Sequence, residues 1–239
     1  MLSQTTQPGP LFSVGYGDAH IEASGPWMGA FDRRVFAACL ELFRDDPLLT
    51  NGKSNEKQLT VYAFMQVLRV GYGVDMHQAV LTSLARLKSS SVIVTVKDTP
   101  YYVPTLVNST VRTTGRLLGK DVLSVAIPEQ VANLYGRALW SAVPRAALDA
   151  GKGIKSWLAS FYSSHAKPYP IALNRLHELS GFKGALADFR IKLNKAIDAL
   201  AELPEEDAAR IAGNAGADVN TVEVHLANWA TWPTAISNS

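Results

Sequence analysis

Cationic and amide side chains concentrate on one predicted helix in the last third of the chain. Apolar residues at helical spacing predict this helix over about residues 184–201. The apolar stripe consists of Leu186, Phe189, Leu193, Ile197 and Leu200. The polar and basic residues beside it are Lys183, Arg190, Lys192, Asn194 and Lys195. Such side chains donate hydrogen bonds to phosphate oxygens and to base edges, so the pattern predicts a helix that enters a DNA groove.

A second predicted helix, over about residues 75–89 with Asp75 as its N-cap, carries a smaller polar face. Gln78, Thr82 and Arg86 lie opposite its apolar residues and are predicted to face DNA as well. An ordinary amphipathic surface helix is the alternative interpretation. Two further basic residues before the C-terminal helix, Lys167 and Arg175, are predicted to add phosphate contacts.

The charge of the chain is unevenly distributed, although its formal net charge is only +2. Residues 109–195 carry 13 Lys and Arg against five Asp and Glu. Residues 196–239 carry one Arg against seven acidic residues. A basic segment between a neutral and an acidic one is typical of a localised binding site for a polyanion, with a chance cluster of solvated charges as the alternative.

The composition, 47% hydrophobic and 18% charged, is that of an ordinary globular protein. No uncharged apolar run approaches the roughly 18 residues of a membrane span, so no membrane partner is expected. The N-terminus has neither the basic start nor the apolar stretch of a signal peptide. A single cysteine, Cys39, excludes an intrachain disulfide and favours the reducing cytoplasm of a bacterium.

Motifs for catalysis and cofactor binding are missing from the sequence. The segment GKGIKS (151–156) lacks the spacing of a phosphate-binding P-loop, and HELSG lacks the second histidine of a zinc protease helix. Five scattered histidines and one cysteine do not make a structural zinc site. We therefore predict a binding protein that is not an enzyme, with no catalytic residue, metal or cofactor.

The order of the predicted elements indicates an α+β fold, mainly helical, with two tandem winged-helix domains. Helix, short strand, helix, turn, helix and hairpin follow one another as a winged helix requires. The predicted helices span about 29–45, 62–70, 75–89, 129–137, 146–163, 171–179 and 184–201, and the predicted strands 20–23, 58–61, 91–96, 101–106 and 122–127. Residues 210–229 are predicted to contain a second wing. The predicted division is a flexible leader (1–18), a first domain (19–127) and a second domain with an acidic C-terminal tail (128–239).

Several segments in the same order resemble the TrfA-type plasmid replication initiators. These are FYSSHAKPYPIAL (161–173), FRIKLNKAIDAL (189–200) and, upstream, IEASGPWMGAFDRRVFAACLELF (21–43), QLTVYAFMQVLRVGYG (58–73) and LTSLARLKSSSVIV (81–94). Together they cover about residues 20–203. The acidic segment that follows departs from the family pattern, since a short final hairpin is expected there.

The resemblance implies a sequence-specific protein that binds double-stranded DNA at repeated origin sites (iterons). It implies opening of an adjacent AT-rich region, with single-stranded DNA as a further ligand, and recruitment of the host initiator, helicase and sliding clamp. It also implies a monomer–dimer equilibrium and a location on plasmid DNA in the cytoplasm, near the nucleoid. In such initiators the second winged helix usually reads most of the bases.

A short N-terminal motif resembles the peptides that bind bacterial sliding clamps. Gln7, Leu11 and Phe12 match the Gln-x-x-x-Leu-Phe form of such peptides. An unstructured segment would deliver Leu11 and Phe12 into an apolar pocket, with Gln7 as a polar anchor. The alternative is a loop that covers the first domain.

Two other functional classes remain open at this point. A winged-helix transcriptional repressor would use the same helices without recruiting replication proteins. A scaffolding protein would have no affinity for DNA. Short tandem repeats beside an AT-rich segment next to the gene would favour the initiator, and a lone palindrome in its promoter would favour the repressor.

Overall fold

The computed structural model describes residues 12–16, 19–113, 120–134, 145–163 and 171–201. The chain divides into two compact units, Met1–Trp140 and Ser141–Ser239. Helices and antiparallel strands are both abundant in the described residues, so the fold is α+β, as the sequence predicted.

In the described residues of the first unit, nine strands combine with four helices. In chain order they are β1 (Phe12–Tyr16), β2 (Ala19–Ser24), α1 (Ala30–Glu41), β3 (Leu49–Thr50), β4 (Lys53–Ser54), β5 (Glu56–Thr60), α2 (Val61–Leu68), α3 (Val74–Lys88), β6 (Ser91–Val96), β7 (Thr99–Val103), β8 (Asn108–Arg112), β9 (Val122–Ala126) and α4 (Glu129–Leu134). The strands form three antiparallel sheets with the orders β1-β2-β6-β7, β3-β4 and β5-β9-β8.

Local sequence signals set several of these element ends. The hydroxyl of Thr60 accepts a hydrogen bond from the backbone N–H of Ala63 (3.1 Å) and so caps the start of α2. The same helix ends at Arg69, which has the left-handed conformation with φ of 53°. The N-cap of α3 is Gly73 and not Asp75, two residues earlier than predicted.

The predicted hairpin of β6 and β7 is present, but its turn is shifted. Val96 pairs with Thr99, so the turn consists of Lys97 and Asp98 alone. Both residues have positive φ (46° and 63°), the conformation that two-residue hairpin turns need for their twist. The second strand consequently ends at Val103, three residues before the predicted 106.

The core of the first unit lies between its helices and sheets. Apolar faces of α1, α2, α3 and β9 meet there, and the fully buried side chains include Val35, Phe64, Met65, Leu68, Val80 and Leu123. Burying such side chains stabilises the unit by about 1.5–3 kcal/mol each.

In its described residues, the second unit consists of four helices: α5 (Arg145–Asp149), α6 (Gly153–Ser163), α7 (Leu173–Ser180) and α8 (Leu186–Ala201). The predicted single helix over 146–163 is two helices, because Gly151 between them and Gly153 at the start of α6 have positive φ (102° and 66°). A separate core joins the helices, with Leu158, Leu176, Phe189, Leu193 and Ile197 as its most deeply buried large side chains.

The prediction of two tandem winged-helix domains is wrong. All nine described strands belong to three sheets of the first unit, and the described parts of the second unit, 145–163 and 171–201, contain no strand. Short patterned segments predicted the element types well but not their pairing, which depends on residues far apart in sequence. The predicted second wing at 210–229 lies outside the described residues.

Two other features differ from the predicted division of the chain. Part of the predicted leader 1–18 is strand β1, whose five residues pair with β2 from Phe12–Ala23 to Tyr16–Ala19. Helix α4 was predicted to open the second domain, but Val131 and Ala132 on it belong to the core of the first unit. The boundary between the units falls at Trp140–Ser141 and not at 127–128.

Cys39 offers a test of the first core. Its side chain is fully buried on α1, and burial raises the pKa of its thiol, which keeps it protonated. We expect alkylation by iodoacetamide at pH 8 to be at least about 10³-fold slower in the folded protein than in urea, because only opened molecules react. Mass spectrometry of timed samples measures both rates. Equal rates would contradict the burial of this side chain.

Candidate nucleic-acid interface

Helix α8 packs on the second core through one face and leaves the opposite face in solvent. Phe189, Leu193 and Ile197 are almost completely buried, with exposures of 0–2%. Leu200 and Ala196 complete this buried face. The predicted stripe is thereby confirmed except at its first member, because Leu186 is 40% exposed.

The turn between α7 and α8 is fixed by an aromatic cluster and a backbone hydrogen bond. Gly181 ends α7 in the left-handed conformation, with φ of 66°. The Nε2 of His177 donates to the carbonyl oxygen of Gly184 (2.9 Å). The ring of Phe189 lies 5.1 Å from that of His177 and 5.8 Å from that of Phe182, measured between centroids. These contacts fix where α8 starts and which face it presents.

The exposed face of α8 carries most of the basic and amide groups that the sequence predicted to bind DNA. Arg190, Lys192, Asn194 and Lys195 are all exposed, and Lys183 is exposed just before the helix. Within the described part of the chain, no carboxylate forms an ion pair with Arg190 or Lys195. Two acidic residues, Asp188 and Asp198, are exposed on the same helix, so its surface is not purely cationic.

Lys192 is held against the aromatic cluster. Its Nζ lies 4.5 Å from the centroid of the Phe182 ring, which is the geometry of a cation–π interaction. The interaction leaves the ammonium group at the surface, where it remains able to approach a phosphate.

Of the two basic residues before α8 that were predicted to contact phosphate, only Arg175 is among the described residues. Arg175 lies on α7, where its Nη1 donates to the Oε2 of Glu178 at 2.6 Å. This i,i+3 ion pair between exposed side chains engages one nitrogen of the guanidinium, and the phosphate contact of Arg175 stays a prediction. Lys167 lies outside the described residues.

On α3, one of the three residues predicted to contact DNA forms an ion pair inside the first unit. Gln78 is exposed and Thr82 is half-buried beside it, with 3.4 Å between Gln78 Nε2 and Thr82 Oγ1. Arg86, however, turns toward α1, where its Nε and Nη2 donate to Oδ1 of Asp32 at 2.9 and 2.6 Å. A guanidinium engaged in this way positions α3 against α1 and is not free to reach a groove.

Asp32 was missed by the sequence analysis, although it holds several groups together. Its carboxylate is buried and also accepts hydrogen bonds from Ser83 Oγ (2.7 Å) and from the backbone N–H of Gly29 (2.7 Å). The only available signal was its place in the first turn of α1, where an acidic residue caps free N–H groups.

A second buried pair was also missed. His77 and Asp121 are each about 4% exposed, and Nε2 of His77 lies 3.6 Å from Oδ2 of Asp121. The carbonyl of Asp121 accepts a hydrogen bond from the N–H of Val61 (2.9 Å), so the pair ties α3 to the start of α2. We assign it a structural role in the first unit.

The predicted clamp-binding motif is described only at its last residue. Phe12 is half-buried in strand β1, opposite Ala23, and this part of the motif is therefore not the unstructured segment that the prediction required. Gln7 and Leu11 lie outside the described residues.

Other kinds of site find no support in the described residues. No group of three or more His, Cys, Asp or Glu side chains there could hold a metal ion. Among the described helices, none has the length and apolar character needed to cross a bilayer.

Comparison with known protein families, curated proteins and solved structures finds no match to this chain. The fold alone defines an α+β protein, whose first unit contains helices and strands and whose second unit is helical where it is described. The resemblance to TrfA-type initiators stays a prediction.

Proposed function

We propose that the protein binds double-stranded DNA through α8 and acts as a plasmid replication initiator. The observation that supports DNA binding most directly is the two-faced character of α8. One face is buried at Phe189, Leu193 and Ile197, and the other exposes Arg190, Asn194 and Lys195 to solvent. The role in replication rests on the resemblance of the sequence segments alone.

The proposed contact is a helix lying in the major groove. A helix about 10–12 Å across fits a groove about 12 Å wide. Arg190, Lys192 and Lys195 would neutralise phosphates on either side, and the amide of Asn194 would bond to a base edge. Helices α6 and α7 act as the support, because they share the core on which α8 packs. The exposed Gln78 of α3 would add a contact from the first unit, and Arg86 would act only by positioning α3.

The steps beyond binding follow the family resemblance. We propose that the protein occupies repeated sites at a plasmid origin, promotes opening of adjacent AT-rich DNA and recruits the host initiator, helicase and sliding clamp. Footprinting of purified protein on its own plasmid, combined with permanganate detection of unpaired thymines, tests this role. Protection of tandem repeats with unpaired thymines beside them supports an initiator. Protection of a single palindrome without opening would contradict the initiator and support a repressor.

Substitutions on α8 test the DNA contact itself. Arg190→Ala and Lys195→Ala are each expected to weaken binding to the footprinted site by about 1.5–3 kcal/mol, the contribution of a hydrogen bond to a charged group, and to weaken binding to other sequences about equally. Each should also make the plot of log K against log salt less steep, with the negative slope smaller in magnitude by about 0.9. Fluorescence anisotropy titrations at several salt concentrations measure both quantities.

Lys53→Ala is the matched control, since Lys53 is an exposed lysine of β4 in the other unit. Lys57 is less suitable because its Nζ is paired with Oδ2 of Asp46. Equal losses from Lys53→Ala and Lys195→Ala would refute the assignment of α8 as the DNA-binding helix.

A further inference from the structure

One apolar side chain stands out on the charged face of α8. Ile191 is 56% exposed, although its neighbours Arg190 and Lys192 are basic. It lies three residues after Asp188 and four before Lys195, so these three side chains share the face opposite the buried stripe. Ile191 therefore occupies the middle of the surface that the proposed function places in the groove.

Neither helix formation nor packing accounts for an isoleucine at this position. A β-branched residue is a weaker helix former than alanine, lysine or glutamate, which usually occupy exposed helical positions. The core of the second unit is already filled from the other side of the helix, by Phe189, Leu193 and Ile197. Ile191 belongs to no described cluster of apolar side chains.

We infer that Ile191 is a specificity-determining residue that contacts the 5-methyl group of a thymine in the major groove. This inference rests on the proposed DNA binding by α8. Each base pair presents a distinct set of groups in that groove, and the thymine methyl is the apolar one. An apolar side chain between hydrogen-bonding and cationic ones matches this mixture of methyl, acceptor and donor groups.

Asn194 strengthens the assignment to an A·T pair. It lies three residues after Ile191, which brings the two side chains to neighbouring parts of the same helix face. Asparagine bonds to N6 and N7 of adenine through its amide, and the methyl of the paired thymine is exposed in the same groove. A helix that presents both groups therefore selects A·T pairs in two ways at once.

A protein partner fits this surface less well. The centre of a protein–protein interface is depleted of charged residues and is broadly apolar. Here Ile191 is surrounded by exposed charged side chains, and Leu186 is the other exposed large apolar residue of α8. Three cationic residues (Arg190, Lys192 and Lys195) outnumber two acidic ones (Asp188 and Asp198) on the exposed part of the helix, which favours a polyanion with scattered methyl groups.

The test removes the methyl group from the DNA and the side chain from the protein. The full chain first selects its preferred site from a library of random duplexes. Each thymine of that site is then replaced by deoxyuridine, which lacks only the 5-methyl group, and affinities are measured by anisotropy. We expect one replacement to weaken binding about fourfold, the factor for burying one methyl-sized group. With Ile191→Ala the same replacement should have no effect.

One control variant and a comparison with Arg190→Ala separate the possible failures. Leu186→Ala, at an exposed leucine near the edge of the buried stripe, should keep the sensitivity to deoxyuridine. If the selected site binds tightly but no deoxyuridine replacement matters, or Ile191→Ala remains equally sensitive, the thymine contact is refuted and DNA binding stands. If the library yields no preferred site and Arg190→Ala binds DNA as well as the wild type does, both the inference and the proposed function are refuted.

Discussion

Replacing Asp32 with alanine is expected to destabilise the first unit by about 3–5 kcal/mol, the cost of removing one partner from a buried ion pair. Its carboxylate accepts four hydrogen bonds, from Gly29, Ser83 and two nitrogens of Arg86. The substitution leaves the hydroxyl of Ser83 buried without this acceptor and leaves a half-buried guanidinium without its counter-charge. It also removes a cap from α1, which adds to the loss.

Urea unfolding measures this effect, and the alkylation rate of Cys39 reports specifically on opening of the first unit. Asp45→Ala is the matched control, because Asp45 also pairs with an arginine but its side chain is 82% exposed. Asp45→Ala should lower the free energy of unfolding by less than about 1 kcal/mol. If Asp32→Ala and Asp45→Ala shift the urea midpoint equally, the carboxylate does not hold α1 and α3 together.

A double substitution distinguishes the ion pair from simple packing. Adding Arg86→Met to Asp32→Ala removes the unpaired charge and fills part of the space with an apolar side chain. The double variant is expected to be more stable than Asp32→Ala alone, because the desolvated charge causes most of the loss. A double variant less stable than Asp32→Ala would show that Arg86 stabilises α3 independently of the carboxylate.

The helices could be predicted from sequence because their patterns are local. The last helix was predicted over 184–201 and is found as Leu186–Ala201, since Phe189, Leu193 and Ile197 recur at the helical period. Strand β6, Ser91–Val96, was predicted at its observed bounds from a run of β-branched residues. In both cases a window of fewer than about twenty residues contains the whole signal.

The pairing of distant residues could not be predicted in the same way. Arg86 fell on the polar side of its helix, but its partner Asp32 is 54 residues away. Polar placement on a helical wheel cannot distinguish a side chain that meets solvent from one that meets a buried carboxylate. Strand β8, Asn108–Arg112, was missed because its sequence NSTVR is mostly polar, and it becomes a strand by pairing with β9.

The candidate site also combines features that local sequence predicts with features that depend on distant residues. Exposure of Arg190, Lys192, Asn194 and Lys195 could be predicted, because the buried face of one helix determines its exposed face. The contacts made by the basic side chains could not be predicted, such as the cation–π interaction of Lys192 with Phe182 or the ion pair of Arg175 with Glu178. These contacts depend on the path of the turn between α7 and α8.

Phe189→Ala is expected to destabilise the second unit by about 3–5 kcal/mol, since it leaves a cavity where a fully buried ring had packed. Phe189 is 0% exposed and its ring contacts those of His177 and Phe182. The loss should therefore loosen both the turn and the first half of α8. Hydrogen exchange of the α8 amides measures this directly, and amides of α2 in the first unit should keep their protection.

Ile191→Ala is the matched control on the same helix, two residues further along. Its side chain is 56% exposed, so truncation leaves no cavity and should change stability by less than about 0.5 kcal/mol. The two substitutions thus separate the packing of α8 on the second core from the contact that α8 is proposed to make with DNA. Phe189→Ala should weaken DNA binding in parallel with lost protection of α8, whereas Ile191→Ala should alter base preference with protection unchanged. Loss of protection in both variants would mean that the exposed face of α8 is packed in solution, which would remove the surface on which the proposed DNA contact depends.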